Sequence, residues 1–273
     1  MKVVYLFVEG NTDKALIEAL LQKYYKYSEY NNEKDMPGLL SRQISRYPKA
    51  DGELESKGKS TFLYKEDTCI MIEVAGGKDK FAEKIAGRLN AASIEDSVDD
   101  ELVIAMIQDR DLGVEDKIHS EIKKAFEEKG IIWKEEKINY QGEKYCFFDY
   151  ILPLNSFGAV EKIILDLSNR VYEDLTSEAK LYRDSIEKKE QFAAYREKWA
   201  KPEYQPLYAD KVQVGAITAV LKPDSSPAMM VKDKLITRNN LDIVLESEEI
   251  KGLISFLDKL VENRYMTNLR KDV

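Results

Sequence analysis

Three short segments of the sequence are almost purely apolar and rich in β-branched residues, and a stretch with helical periodicity follows each. They read KVVYLFV (residues 2–8), TCIMIEVA (68–75) and ELVIAMI (101–107). Strands without polar–apolar alternation are covered on both faces, which is typical of parallel strands joined by helical crossovers. The pattern therefore predicts an α/β fold with a mainly parallel sheet flanked by helices.

The stretches after these strands predict helices over residues 12–26, 79–91 and 115–129. In the first helix the apolar residues recur on one face, and Asn11 or Thr12 can cap its N-terminus. The segment KINYQGEKYCFFDYILP (137–153) predicts a hairpin or two short strands. Residues 28–66 are polar and show no clear period, so they predict an excursion between core elements, such as a lid or a small subdomain.

Beyond about residue 155 the sequence becomes largely helical in pattern, with prolines between the predicted helices. We therefore expect an α/β domain over 1–170, with an insertion at 28–66. A mainly helical C-terminal region over 171–273 would pack on that domain or complete it. Basic and aromatic residues alternate over 182–199, and their spacing favours a packed amphipathic helix over a contact with nucleic acid.

Composition limits the chemistry that the chain can perform. The formal net charge is −8, and His119 is the only histidine. We expect His119 to be an exposed helix residue, and Cys69 and Cys146 to be buried thiols rather than a disulfide or a zinc site. Catalysis would then depend on carboxylates, lysines, backbone groups and a metal ion. No segment is apolar enough to span a membrane, and the N-terminus lacks a signal-peptide cleavage site, which predicts a cytoplasmic protein.

Charged residues and glycines stand where the predicted strands end. Glu9 follows the first strand, Gly76 and Gly77 the second, and Asp109 and Asp111 the third. In α/β sheets, ligands bind at the carboxyl ends of the strands. If the chain stays extended, Asp109 and Asp111 leave the same face, and two carboxylates so close repel each other unless a cation lies between them. With Glu9 they form an all-oxygen site that suits Mg²⁺ or Mn²⁺.

This ordered pattern resembles the toprim domain of topoisomerases, primases and nucleases of the OLD family. The resemblance rests on a strand that ends in Glu-Gly, a helix directly after it, and a later strand that ends in Asp-x-Asp; the phrase VEGNTDKALIEAL is similar to OLD-family and small stand-alone toprim proteins. It implies a Rossmann-like core in which Glu9 acts in acid–base or metal chemistry and Asp109 and Asp111 bind Mg²⁺. The chain lacks the GxxxxGK[ST] motif of an attached ATPase.

The resemblance also implies a further metal ligand and a lysine. Glu161 follows Gly158 on a predicted helix and matches the additional acidic residue, while Lys211 is the first choice for the catalytic lysine. Lys232 and Lys234 are the alternatives. Gly10, Gly76 and Gly77 are candidate substrate-binding residues.

Together these observations predict a Mg²⁺-dependent phosphodiester-processing protein, and most directly a nuclease that acts on DNA or RNA. The alternative is a non-catalytic toprim-fold module that binds nucleic acid or a partner protein, with or without oligomerisation. A receiver domain or a haloacid-dehalogenase-like phosphatase fits less well. The first needs an acidic pair after strand one and the second needs a nucleophilic aspartate there, whereas this chain has Glu9 and a glycine.

Overall fold

A mixed eight-stranded sheet forms the centre of the protein in a computed structural model that describes residues 1–44, 60–92, 101–154, 156–189 and 205–261. The strands are β1 (Lys2–Val8), β2 (Ser28–Glu29), β3 (Ser60–Lys65), β4 (Thr68–Val74), β5 (Glu101–Asp109), β6 (Ile131–Lys134), β7 (Lys137–Tyr140) and β8 (Glu143–Leu152). Their order across the sheet is β2-β3-β4-β1-β5-β8-β7-β6.

Only the four central strands are parallel. β1 pairs with β4 and β5, and β5 pairs with β8, each in parallel, whereas β2, β3, β6 and β7 join through antiparallel pairings. The α/β prediction is confirmed, but a mainly parallel sheet describes the centre alone. The reason is local: tight turns with left-handed residues at Glu66 and at Gln141-Gly142 join β3 to β4 and β7 to β8, and a short turn allows only antiparallel pairing.

Helices cover both faces of the sheet. They are α1 (Asn11–Lys23), α2 (Gly38–Ser41), α3 (Phe81–Ala91), α4 (Glu115–Glu128), α5 (Val160–Val171), α6 (Glu173–Glu187), α7 (Gln205–Leu221), α8 (Pro227–Met230), α9 (Leu241–Leu245) and α10 (Glu248–Val261). Short 3₁₀ turns at Glu33–Asp35 and Lys78–Lys80 and a π turn at Val231–Leu235 complete the described elements. The predicted helix segment at 190–199 lies outside the described residues.

Successive side chains of β1 point to opposite faces of the sheet, and both faces are covered, which explains why the strand is apolar throughout. Val4, Leu6 and Val8 pack against α1, α5 and the C-terminal helices, whereas Val3, Tyr5 and Phe7 pack against α2, α3 and α4. Every one of these side chains is fully buried. The apolar core on the α1 and α5 face contains side chains from both predicted regions, 1–170 and 171–273. The C-terminal helices therefore pack on the same face of the sheet as α5.

The segment predicted as an insertion, residues 28–66, contributes to the sheet. Its described ends contain β2, α2 and β3, and β3 pairs with β4 over six residue pairs. The prediction of a lid or a separate subdomain was therefore wrong for these ends. Residues 45–59 lie outside the described part of the chain.

The prediction for His119 was also wrong. Its Nε2 lies 2.7 Å from Asp149 Oδ2, and its ring contacts Trp133 edge-on, with ring centroids 5.5 Å apart. The histidine is half-buried because α4 packs this face against β6 and β8. Cys69 is buried and Cys146 half-buried, and both are free thiols as predicted. Across the described ranges, no helix combines the length and the apolarity that crossing a bilayer requires.

Candidate functional site

Glu9 and Asp109 meet at the carboxyl ends of two neighbouring strands. β1 and β5 run in register with Val8 opposite Ile107, so the residues that follow both strands emerge side by side. The backbone N–H of Asp109 donates a hydrogen bond to Glu9 Oε2, at an N···O distance of 3.2 Å. Glu9 and Asp109 therefore lie side by side at the strand ends, as predicted.

Asp109 and Asp13 each accept a hydrogen bond at the N-terminus of a helix. Asp109 Oδ1 accepts a hydrogen bond of 2.9 Å from the N–H of Val160, the first residue of α5. On α1, Asp13 Oδ2 accepts the N–H of Gly10 at 2.8 Å. Gly10, not Asn11 or Thr12, is therefore the residue that precedes the helix, and the acid that binds its N–H is one turn inside. Helix N-termini attract anions, so both positions suit carboxylates.

Asp13 is the residue at this site whose importance the sequence reading missed. Its side chain is 2% exposed, and Oδ1 has no hydrogen-bond partner among the described residues. A buried carboxylate oxygen without a partner destabilises the folded state unless a proton or a cation joins it. The available signal was its position three residues after Gly10, where an acidic side chain can accept the N–H of the residue that precedes a helix.

Burial and mutual repulsion raise the pKa values of the group. Burial, followed by the charges of Asp13 and Glu9, raises the pKa of Asp109 to about 9. Burial and the charge of Glu9 raise the pKa of Asp13 to about 7, although the Gly10 N–H opposes the shift. Burial also raises the pKa of Glu9 and of Glu161. The four carboxylates therefore lie close enough to affect one another's charge; we call Glu9, Asp13, Asp109 and Glu161 the acidic centre.

Asp111 does not leave the sheet alongside Asp109. The chain turns into the left-handed region at Asp111, with φ +50°, so the extended geometry that the prediction assumed ends at Asp109. Asp111 instead forms a two-way backbone bridge with Gly158, and its Oδ2 lies 2.5 Å from Lys78 Nζ. Its charge still raises the pKa of Glu9, so Asp111 sits at the edge of the acidic centre.

Lys78 lies at the edge of the acidic centre. Its Nζ pairs with Asp111, and its charge opposes the rise in the pKa of Glu9. Gly76 and Gly77 make this approach possible, because their φ values of +87° and +130° turn the chain sharply after β4. The N–H of Gly76 also donates to the Glu9 carbonyl oxygen at 3.0 Å. Substrate binding by Gly10, Gly76 and Gly77 stays a prediction.

Of the three candidate lysines, Lys211 is the one beside the acidic centre. Its Nζ lies 4.0 Å from Glu161 Oε1, its side chain is 60% exposed, and its charge opposes the rise in the pKa of Glu161 and of Glu9. Lys232 instead pairs with Glu18 at 2.8 Å. Lys234 lies on the π turn, where its carbonyl oxygen accepts a hydrogen bond from Tyr172. A further acid that sequence reading missed, the buried Asp210, pairs with Lys162 at 3.1 Å.

The donor set suits a hard divalent cation, although the side chains are not arranged around one. Within the residues that the structure describes, no three acidic, histidine or cysteine side chains are positioned to hold a metal ion as they stand. The orphaned Oδ1 of Asp13 and the all-oxygen chemistry of the acidic centre nevertheless fit Mg²⁺ or Mn²⁺. Glu9, Asp13, Asp109 and Glu161 are the residues that could hold the cation, with Asp111 available if it parts from Lys78.

Comparison with known proteins gives a family. The family described as "Protein of unknown function (DUF3226)" matches residues 3–262, which is nearly the whole chain. The chain belongs to this family. The crystal structure of a hypothetical protein from Pyrococcus horikoshii OT3 is similar, with a TM-score of 0.51 and 17% identity, over 96% of this chain and 100% of the other. That likeness concerns the fold alone. Among curated proteins, none has a sequence that matches this chain.

Proposed function

We propose that this DUF3226 member is a toprim-type, Mg²⁺- or Mn²⁺-dependent phosphodiester-processing protein, and specifically a nuclease that acts on DNA or RNA. The observation that carries the proposal is the acidic centre: four carboxylates from three parts of the chain lie close enough, near the ends of β1 and β5, to raise one another's pKa values, and Asp13 Oδ1 has no partner within the described residues. The central order β4-β1-β5-β8, with Glu9 and Asp109 at adjacent strand ends, supports the toprim resemblance.

In this scheme Asp13, Asp109 and Glu161 would hold the cation, and Glu9 would act as the base. When bound, the cation withdraws charge from the phosphoryl oxygens and favours ionisation of the attacking water. The chain's own residues do the remaining work. Glu9 Oε2 is fixed by the Asp109 N–H, and Oε1 takes the proton of the attacking water. As the new P–O bond forms and the bond to the leaving oxygen breaks, the exposed ammonium of Lys211 stabilises the leaving oxygen.

The test is cleavage by purified protein of single- and double-stranded DNA and RNA in the presence of Mg²⁺, of Mn²⁺, or of EDTA. Cleavage that requires the cation and is abolished in Asp109→Ala supports the proposal. Asp224→Ala is the matched control, because Asp224 is an exposed acid between α7 and α8. If excess Mn²⁺ leaves every substrate intact while the protein is folded, the nuclease proposal fails.

A second candidate is a non-catalytic module that binds nucleic acid or a partner protein. It is favoured by the absence, within the described ranges, of side chains already positioned around a metal, and by the pairing of Asp111 and Glu161 with lysines. This candidate predicts that the cation binds without turnover and that affinity purification recovers a stable partner or a bound nucleic acid. Cation-dependent cleavage by the isolated chain excludes it.

We also propose that the protein acts in the cytoplasm. Neither Cys69 nor Cys146 forms a disulfide, and cysteines that stay as thiols suit a reducing compartment. Labelling of both thiols in protein prepared from cell extract without a reductant supports this location, whereas a mixed disulfide at either cysteine argues against it.

A further inference from the structure

A cleft of about 610 Å³ lies between α3 and α4, on the face of the sheet opposite α1 and α5. Its size is within the range of small-molecule sites in proteins, which extends from about 300 to 1,000 Å³. Apolar side chains form part of its walls, Phe81 and Ala82 from α3 and Ile122 and Phe126 from α4, and charged residues line the rest. The apolar part of the cleft suits a flat ring system.

Gln108 is the uncharged polar residue of the lining. It immediately precedes Asp109 on β5, its side chain is only 1% exposed, and its Nε2 has no hydrogen-bond partner among the described residues. An unpartnered buried amide destabilises the folded state, and a ligand that supplies an acceptor removes that penalty once the amide turns towards the cleft. Ring nitrogens and ring carbonyls of nucleobases are such acceptors, and glutamine amides commonly read them.

The cleft also reaches the edge of the acidic centre. Lys78 and Asp111, which form the ion pair described above, are both part of its lining. Gln108 and Asp109 are successive residues of one strand, so the chain directs their side chains to opposite faces of the sheet at the same end. A group in the cleft therefore lies next to Lys78, at the same end of the strand that carries Asp109.

We propose that the cleft between α3 and α4 binds one unpaired nucleobase of the substrate, with Gln108 as its hydrogen-bond donor and Lys78 beside the adjoining phosphate. This inference rests on the proposed function and narrows it: the substrate is single-stranded, or has the base turned out of the duplex. Bases inside a duplex do not reach such a pocket without that rotation.

The test is calorimetric binding of the four nucleoside 5′-monophosphates and of ribose 5-phosphate, in EDTA so that binding is independent of cleavage. At least one nucleotide should bind about tenfold more tightly than ribose 5-phosphate, which lacks the base, since one buried hydrogen bond is worth about that factor. Gln108→Leu removes the amide while keeping the shape, and should reduce affinity to the level of ribose 5-phosphate. Equal affinity of all the ligands for the native protein overturns the inference.

Two more variants distinguish a loss of base binding from misfolding. Ala125→Phe fills the cleft from α4 and should also abolish the contribution of the base, whereas Ser120→Phe places the same ring on the exposed side of that helix and should not. Gln108→Leu should unfold at the same temperature as the native protein or a higher one, because it removes an unpartnered buried donor. If Ala125→Phe still distinguishes nucleotides from ribose 5-phosphate, the base does not occupy the cleft.

The two proposals can fail separately. Cation-dependent cleavage with no preference for a base in the binding assay removes only the cleft inference. Base-dependent binding without cleavage of any nucleic acid removes only the nuclease, and leaves a nucleotide-binding module.

Discussion

Replacing Asp109 by asparagine tests the electrostatics of the acidic centre without any assumption about catalysis. The asparagine Oδ1 can still accept the Val160 N–H, so the contact with α5 survives while the ionisable proton is lost. The pKa of Asp109 rises from 3.8 to about 9 on folding. Between these values the folded carboxyl keeps its proton whereas the unfolded carboxyl releases it, so the native protein loses stability as pH increases.

The size of the effect follows from that interval. Each pH unit between the two pKa values lowers the free energy of unfolding by up to about 1.4 kcal/mol. From pH 5 to pH 8 the contribution of Asp109 therefore amounts to about 2–4 kcal/mol, the lower figure allowing for neighbouring carboxylates that share the shift. The protein with Asp109→Asn should have a shallower pH dependence, and at pH 8 it should be the more stable of the two.

The assay is urea unfolding followed by circular dichroism from pH 5 to pH 9 in EDTA. Asp224→Asn is the matched control: Asp224 is exposed and has φ +58°, a conformation that asparagine also adopts readily, so its pH dependence should follow the native protein. Adding Mg²⁺ at pH 8 should stabilise the native protein and not Asp109→Asn. Parallel pH dependences for the native protein and Asp109→Asn would show that Asp109 ionises without a penalty, and would refute the reasoning.

Two further contrasts test the turn after β4 and the choice of lysine. Gly77→Ala should lower the free energy of unfolding by about 1–3 kcal/mol, because φ +130° is a glycine conformation. Gly87→Ala, inside α3, should instead raise the free energy of unfolding by about 1 kcal/mol. Equal effects of the two substitutions in chemical denaturation would contradict this account. Lys211→Ala should slow cation-dependent cleavage by about a hundredfold if its charge stabilises the leaving oxygen, while Lys232→Ala, which breaks the pair with Glu18, should retain the rate of the folded protein. Equal rates in both lysine variants would remove the role given to Lys211.

The central strands were predictable from the sequence and the edge strands were not. β1, β4 and β5 are mostly continuous apolar runs, which is the pattern of a strand covered on both faces. β2 consists of two exposed residues, Ser28–Glu29, and exists because β3 lies beside it. Such an edge depends on pairing between segments distant in the chain, which no local period reveals.

The same division applies to the site. Glu9 and Asp109 follow from the rule that parallel strands end together, and that rule needs only the strand assignments. Asp13 and Lys78 were missed because their roles depend on three-dimensional packing: one is buried by the docking of α1, and the other is directed by the Gly76-Gly77 turn. Asp111 was misplaced because a left-handed residue other than glycine leaves no reliable sequence signal.

Three kinds of positive charge can neutralise the carboxylates at these strand ends: lysine, a proton and a divalent cation. The lysines reach only the periphery, where Lys78 pairs with Asp111 and Lys211 lies beside Glu161. Asp13 and Asp109, in the middle, have no lysine partner among the described residues, and their raised pKa values favour a proton there when no metal is bound. A divalent cation has to displace those protons, so its affinity should increase with pH. The two lysines at the periphery would then be the groups that a phosphate meets on its way to the cation.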